Sequence, residues 1–340
     1  MVRRLLIIAV VAVVLVCGGG VALGGLLWQR LALSTVGKVD FVNPLAVPPL
    51  APSRVDERGR RVFDLTARAG RHDFGAGPVE TWGFNGDYLG PTLRAERGEQ
   101  VVVNVRNELG EPTSVHWHGM HLPATMDGGP HQPIAPGGTW SPTWRVDQPA
   151  ATLWYHPHPH GRTESHVYRG LAGVFLVTDE DSAALPLPAE YGVDDVPVIV
   201  QDKRFSGGRL DDRPSFGGVG ILGDTVVVNG TLGPYLDVTT ERVRLRLLNA
   251  STGRSYDFGF ADGREFALVG TDGGLLERPH PTTGIMLSPG ERAEIVVTMR
   301  PGERVVLRSN PPDLKGGLMK RFSGGDDTLD ILELRAADRL

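Results

Sequence analysis

Two short stretches hold the side chains with the most chemistry, His116-Trp117-His118-Gly119 and Trp154-Tyr155-His156-Pro157-His158-Pro159-His160-Gly161. Each contains a His-x-His pair set among aromatic and apolar residues, which favour strands. In an extended strand residues i and i+2 point to one face, so both imidazoles of each pair can aim at one point. His116, His118, His156 and His158 therefore make a candidate metal site. Neutral imidazole suits copper, zinc, iron and nickel, and geometry rather than ligand type separates them. An isolated histidine is usually a satisfied core or surface group; two pairs weigh against that reading. His160 shares the parity of His156 and His158, so spacing alone admits it as a third inward ligand. His72, His121, His131, His166 and His280 are isolated and read as surface or supporting groups.

The elements that must hold these pairs are short strands. The chain has 340 residues, enough for two domains with a core each. Its 45 glycines and 26 prolines, scattered among short apolar runs, fit an all-β protein with many turns. The net charge of -5, with no Lys/Arg run outside the short amino terminus, argues against a nucleic-acid partner. The one cysteine, Cys17, lies inside an amino-terminal apolar run, which leaves no disulfide and no thiolate ligand after it.

In chain order, the run from Leu5 to Trp28 follows Arg3 and Arg4, so residues 1–30 read as a membrane-spanning signal anchor or a signal peptide. Either form places the remainder outside the cytoplasm, periplasmic or at the cell surface. Residues 31–54, with Pro44, Pro48, Pro49 and Pro52, read as an extended linker that tethers a folded head. Domain one is expected at 55–180, with strands at 62–67, 100–105 and 173–177. Domain two is expected at 181–338, with strands at 196–202, 225–230, 243–250, 294–297 and 304–307. Apolar and basic residues alternate from Val243 to Leu247, which predicts one buried and one wet face. Asp211-Asp212 and Asp326-Asp327 read as solvated loops. No phosphate loop and no Gly-x-Ser-x-Gly nucleophile elbow is present.

The two histidine stretches resemble the amino-terminal copper signatures of the multicopper oxidase family. So do Asn85-Gly86-Asp87-Tyr88-Leu89-Gly90-Pro91-Thr92-Leu93, Met126-Asp127-Gly128-Gly129-Pro130 and Arg169-Gly170-Leu171-Ala172-Gly173, in the family's order. The resemblance implies two tandem cupredoxin-like Greek-key β-sandwiches, with copper ligands on the first only. It implies an oxidoreductase that couples one-electron oxidation of a small reducing substrate or metal ion to reduction of dioxygen. Carried over residue by residue, His116 would bind the lone copper of a three-copper cluster, and His118, His156 and His158 the coupled pair. His160 is not a ligand in the family.

The family pattern also breaks. Its blue copper needs a cysteine between two histidines in a late motif, and these 340 residues contain none. A truncated gene product, an enzyme whose third cupredoxin domain is supplied by another chain or by self-association, and a relative converted to binding or scaffolding are the three explanations. Four retained histidines favour truncation or splitting, with ligand edges opening onto a cleft of domain one. The alternative is a non-catalytic extracytoplasmic copper-binding or scaffold protein.

Overall fold

The computed structural model describes residues 32–340 apart from Ala76, Phe216 and Gly217. The apolar run at 5–28, read as a membrane-spanning or signal helix, lies outside the described residues. Among the described residues no helix is long and apolar enough to cross a membrane.

The fold is all-β, two cupredoxin-like sandwiches in tandem. In the first, a four-stranded sheet runs in the spatial order Leu93–Glu96, Gly173–Thr178, Ala151–His156, His116–His118. It faces a six-stranded sheet built on Arg61–Asp73 and Gln100–Asn107, which pair in parallel. Phe63, Leu65, Trp117, Leu153, Tyr155 and Phe175 fill the space between. In the second sandwich a seven-stranded sheet centred on Asp195–Lys203, Arg242–Asn249 and Arg292–Thr298 covers a six-stranded one, with Val198, Leu245, Phe258 and Ile295 inside.

The strands nearest the domain boundary are buried on both faces. Along Ala151–His156 every residue is buried: Leu153 and Tyr155 point into the domain core. Trp154 points the other way, into a separate cluster with Val174, Leu176, Ile199 and Leu248. That cluster joins the two sandwiches, because the alternating side chains of one strand serve two cores.

The same geometry corrects the expectation that the basic face of 243–247 is wet. Val243, Leu245 and Leu247 enter the core of domain two as read, but Arg244 and Arg246 are only 7% and 6% exposed because domain one covers them. Arg246 makes a two-pronged pair with Asp195 at 2.6 and 2.8 Å and reaches Glu294 at 3.0 Å, while Arg244 also pairs with Glu294. Thr152 of domain one donates to Glu294 at 2.6 Å and accepts from Arg246 at 2.8 Å, which stitches the sandwiches together. Burial alone would raise the Glu294 carboxyl, but the guanidinium groups of Arg246 and Arg244 outweigh it and hold it below its ordinary value. The carboxylates expected in solvated loops are corrected likewise. Asp327 and Asp211 are buried; Asp327 pairs with Arg254 at 2.6 Å, and Asp211 with Arg204 and Arg213 at 3.0 and 2.6 Å. Buried charge persists only when paired in this way.

The Pro-rich segment read as a tether is extended, and its described part is docked. Asn43–Pro44 adds a parallel edge to the strand Pro234–Val238, and the Pro48 and Pro49 carbonyls accept from the Tyr191 hydroxyl at 2.7 Å and the Thr92 amide at 2.8 Å. Proline cannot donate from its backbone, so Pro48 and Pro49 are held through their carbonyls, while Leu45 and Ala51 donate their amides to the Tyr235 and Thr92 carbonyls at 2.7 and 2.8 Å.

The helix Thr163–Arg169 is clamped on both sides. His166 is fully buried; its Nε2 faces the Glu111 carboxylate at 2.8 Å and its Nδ1 lies 3.1 Å from the Thr113 hydroxyl. From domain two, Lys203 Nζ donates to the Tyr168 carbonyl at 2.5 Å and lies over the Tyr168 ring. Burial pulls the Lys203 ammonium down to about 7 from 10.5, with the neighbouring Asp202 carboxylate offsetting part of the effect.

Two predictions follow from this packing. Glu294→Ala leaves the buried Arg244 guanidinium without its close carboxylate, while Arg246 keeps Asp195, and should cost about 3–5 kcal/mol in urea unfolding; a loss under about 1 kcal/mol would mean the network is solvent-screened. For Lys203, the folded value is below the unfolded one, so the unfolded chain binds more protons between pH 7 and 10.5. Stability should rise with pH across that window, with the full burial cost present below it. Lys203→Met should remove this slope; if the stability difference between variant and parent stays flat from pH 6 to 9, Lys203 is not buried as a charge.

Candidate metal centre

The strand His116–His118 pairs antiparallel with Ala151–His156, which sets His116 opposite His156 and His118 opposite Trp154. Trp117 and Tyr155 go to the core between the sheets, so the histidines emerge on the face towards domain two. The supporting motifs have a steric reason. The Tyr155 ring leaves no room for a Cβ at Gly90 or Gly173, where one would lie 2.3 Å from its atoms. Its hydroxyl then donates to the Pro91 carbonyl at 2.7 Å. Gly128 has φ +74, and a Cβ there would lie 1.6 Å from the Val115 carbonyl oxygen. That close approach places Asp127 against His116, whose Nδ1 lies 3.1 Å from both the Asp127 carbonyl and its carboxylate.

Around this pairing four imidazoles gather. The His116 ring centroid is 5.6, 5.4 and 5.3 Å from those of His118, His156 and His158. His118 Nδ1 and His156 Nε2 are 3.2 Å apart, and one ring nitrogen each from His116, His118 and His156 lies within 4.8 Å of the other two. His158 falls beyond the strand end; its amide donates to Ser114 Oγ at 2.9 Å, and its Nδ1 is buried without a partner. Because the strand ends at His156, parity does not extend to His160, which is exposed in a turn. His166, read as an isolated surface or supporting group, is a buried helix anchor.

Burial pushes the His118 imidazole down to about 4, with Arg292, His116 and His158 adding to the effect. Burial also holds His156 well below the ordinary histidine value. Both are neutral near pH 7, the form that binds metal. The Trp154 ring lies against them, its centroid 4.0 Å from His156 and 5.2 Å from His118.

The histidines line a cleft of about 370 Å³, with Thr163, Glu164 and Val167 on one side and Ser251, Thr252, Pro289 and Gly290 of domain two on the other. Sequence reasoning missed this second wall, since nothing in those residue types signals a metal. Gly290 comes so near that a Cβ on it would lie 3.2 Å from His118 Cε1. Arg292, two residues on, donates to the carbonyls of Gly290 at 3.1 Å and of Thr152 at 3.1 Å, so it pins that wall to domain one. Imidazoles gathered in this way, with no thiolate among the described residues, are a donor set that copper accepts.

Comparison with known proteins places the fold in a family. A cell division protein FtsP of Xenorhabdus nematophila is 43% identical over 281 residues, covering 82% of this chain and 58% of that protein. The FtsP of Yersinia pestis is 43% identical over 289 residues, covering 85% and 60%. Among solved structures, a laccase of Pediococcus acidilactici superposes with a TM-score of 0.79 at 37% identity, covering 88% of this chain and 62% of the laccase. The McoA multicopper oxidase of Aquifex aeolicus gives 0.76 at 31% identity, covering 87% and 65%. The chain thus spans 58–60% of the length of these two division proteins. Two family models, each described as multicopper oxidase, match residues 67–182 and 205–308. Together these matches span more than half of the residues, and the chain belongs to the multicopper oxidase family.

Proposed function

We propose that this chain is a non-catalytic, extracytoplasmic copper-binding member of the family that acts as a binding or scaffold protein. The observation that carries this reading is the convergence of His116, His118, His156 and His158 on one cleft with no thiolate among the described residues. Copper held there would supply one-electron chemistry. The protein's part is to present imidazoles, with His116 oriented by Asp127 and His156 by the Pro157 carbonyl at 2.8 Å. The only cysteine of these 340 residues is Cys17, inside the amino-terminal apolar run. A second redox centre of the His-Cys type has no ligand here. The FtsP relatives, named for cell division rather than oxidation, support a scaffold role at the division site. The amino-terminal apolar run would anchor that role to a membrane.

A second reading, an oxidase completed by a cupredoxin domain on another chain, is favoured by the four retained histidines. Dioxygen and a small reducing substrate would then be its reactants. Both readings share a test. The purified chain should bind copper, and His116→Ala with His156→Ala together should weaken binding at least about 100-fold. The copper-loaded chain alone should show no dioxygen uptake with phenols, cuprous or ferrous ion. Uptake that depends on the four histidines with no partner present would overturn the non-catalytic reading, and equal copper binding by parent and variant would remove the site itself.

A further inference from the structure

We propose that segment 32–38 and loop 315–322 form one surface of domain two that rests on an anionic phospholipid bilayer. This depends on the reading of residues 5–28 as a membrane segment, and it goes further by assigning which face of the folded head meets the lipid.

Reach sets the first constraint. The apolar run ends at Trp28, and only Gln29, Arg30 and Leu31 separate it from Ala32. An extended chain spans at most about 3.3–3.6 Å per residue, so these four steps keep Ala32 within roughly 14 Å of the end of the run. From Leu33 onwards the chain has no slack. The Leu33 amide donates to Asp327 Oδ1 at 2.7 Å, and its carbonyl accepts from the Thr328 amide at 2.9 Å. The Thr35 amide donates to the Thr328 carbonyl at 3.0 Å, and its hydroxyl accepts from the Asp330 amide at 2.8 Å. The Gly37 amide donates to Asp330 Oδ2 at 2.9 Å, and the Leu33 side chain packs on the core of domain two. A segment bonded at 33, 35 and 37 is part of the fold rather than a tether. The edge of domain two that carries it is therefore held close to any bilayer that the run enters.

The neighbours of that segment suit lipid. The loop between the strands Arg304–Asn310 and Leu329–Ala336 holds the short helix Gly317–Ser323. Its Arg321, Phe322 and Gly324 share a cleft with Ala32, Leu33 and Lys38. The loop exposes Met319, at 59%, and the segment exposes Val36. Across 30–40 and 313–326 the sequence places Arg30, Lys38, Lys315, Lys320 and Arg321 against Asp40, Asp313 and Asp326. Five cations less three carboxylates leave an excess of two positive charges, in a chain whose net charge is -5. Anionic headgroups attract such a cluster, and apolar side chains set among the cations enter the acyl boundary. The interior of the cleft is charge-matched instead, since Arg254 is taken up by Asp202 and Asp327, and Arg204 by Asp211. Lipid contact thus falls on the rim, at Met319 and the exposed lysines.

A nitroxide label reads this contact directly. The full chain, carrying Cys17→Ser and a label on Met319→Cys, is reconstituted with vesicles of mixed phosphatidylcholine and phosphatidylglycerol. It should float with the vesicles, and the label should be relaxed by oxygen but shielded from a water-soluble nickel chelate. The same label on Val55→Cys, exposed in domain one, should stay open to nickel. Lys38→Glu with Lys315→Glu should restore nickel access at 319 while the chain still floats. Both lysines are exposed, one donating to the Ser34 carbonyl and the other facing the exposed Asp313, so the reversal leaves the core untouched. A floating chain whose label at 319 is as open to nickel as that at 55, or one shielded equally after the charge reversal, would overturn this surface and leave the membrane reading intact. A chain that does not float would overturn both, and copper binding by the same preparation reports separately on the function proposed above.

Discussion

One antiparallel register, His116 opposite His156, is the constraint on which the rest of the site depends. A strand that slips by one residue turns every side chain to the other face. Here a slip would drive imidazoles into the core and expel Trp117 and Tyr155. The core packing of those two aromatic rings therefore selects the arrangement that turns the histidines to the cleft. Gly90 and Gly173 belong to the same device, since they vacate the volume that the Tyr155 ring occupies. Motifs far apart in sequence thus serve a single packing problem beneath the histidines.

That register also places the site at a domain boundary. The face bearing Trp154 and His156 is the one that packs on domain two, so the cleft has one wall from each sandwich. What fixes the second wall is the buried ion network of Arg244, Arg246, Asp195 and Glu294, closed by Thr152 from domain one. Buried ion pairs add little net stability over an apolar contact, yet leaving one half unpaired is expensive. The network therefore acts mainly to hold one relative placement of the sandwiches, which in turn keeps Gly290 against His118. Domain two contributes no imidazole to the cleft, and it still shapes the space in which an ion would sit.

The histidine pairs, the supporting glycine motifs and the strands at 62–67, 100–105 and 196–202 were legible because period-two alternation and turn residues act locally. What covers a strand's second face is not local. The alternation at Val243–Leu247 correctly announced two unlike faces, but nothing in those residues reported that a second sandwich lies over Arg244 and Arg246. Asp327 looked solvated for the same reason, since its partner Arg254 lies 73 residues away. His160 carried the right parity but sits past the end of the strand that gives parity its meaning. His166 looked isolated in sequence because Glu111 and Thr113, which hold it, come from before the second histidine stretch.

A metal centre of this kind is most directly tested by where copper sits. Anomalous diffraction at the copper edge, from crystals of this chain grown with copper(II), should show copper within bonding distance of histidines of the cleft formed by His116, His118, His156 and His158. Copper bound elsewhere on the chain with none in that cleft would contradict the claim that the His116–His156 register builds the metal site.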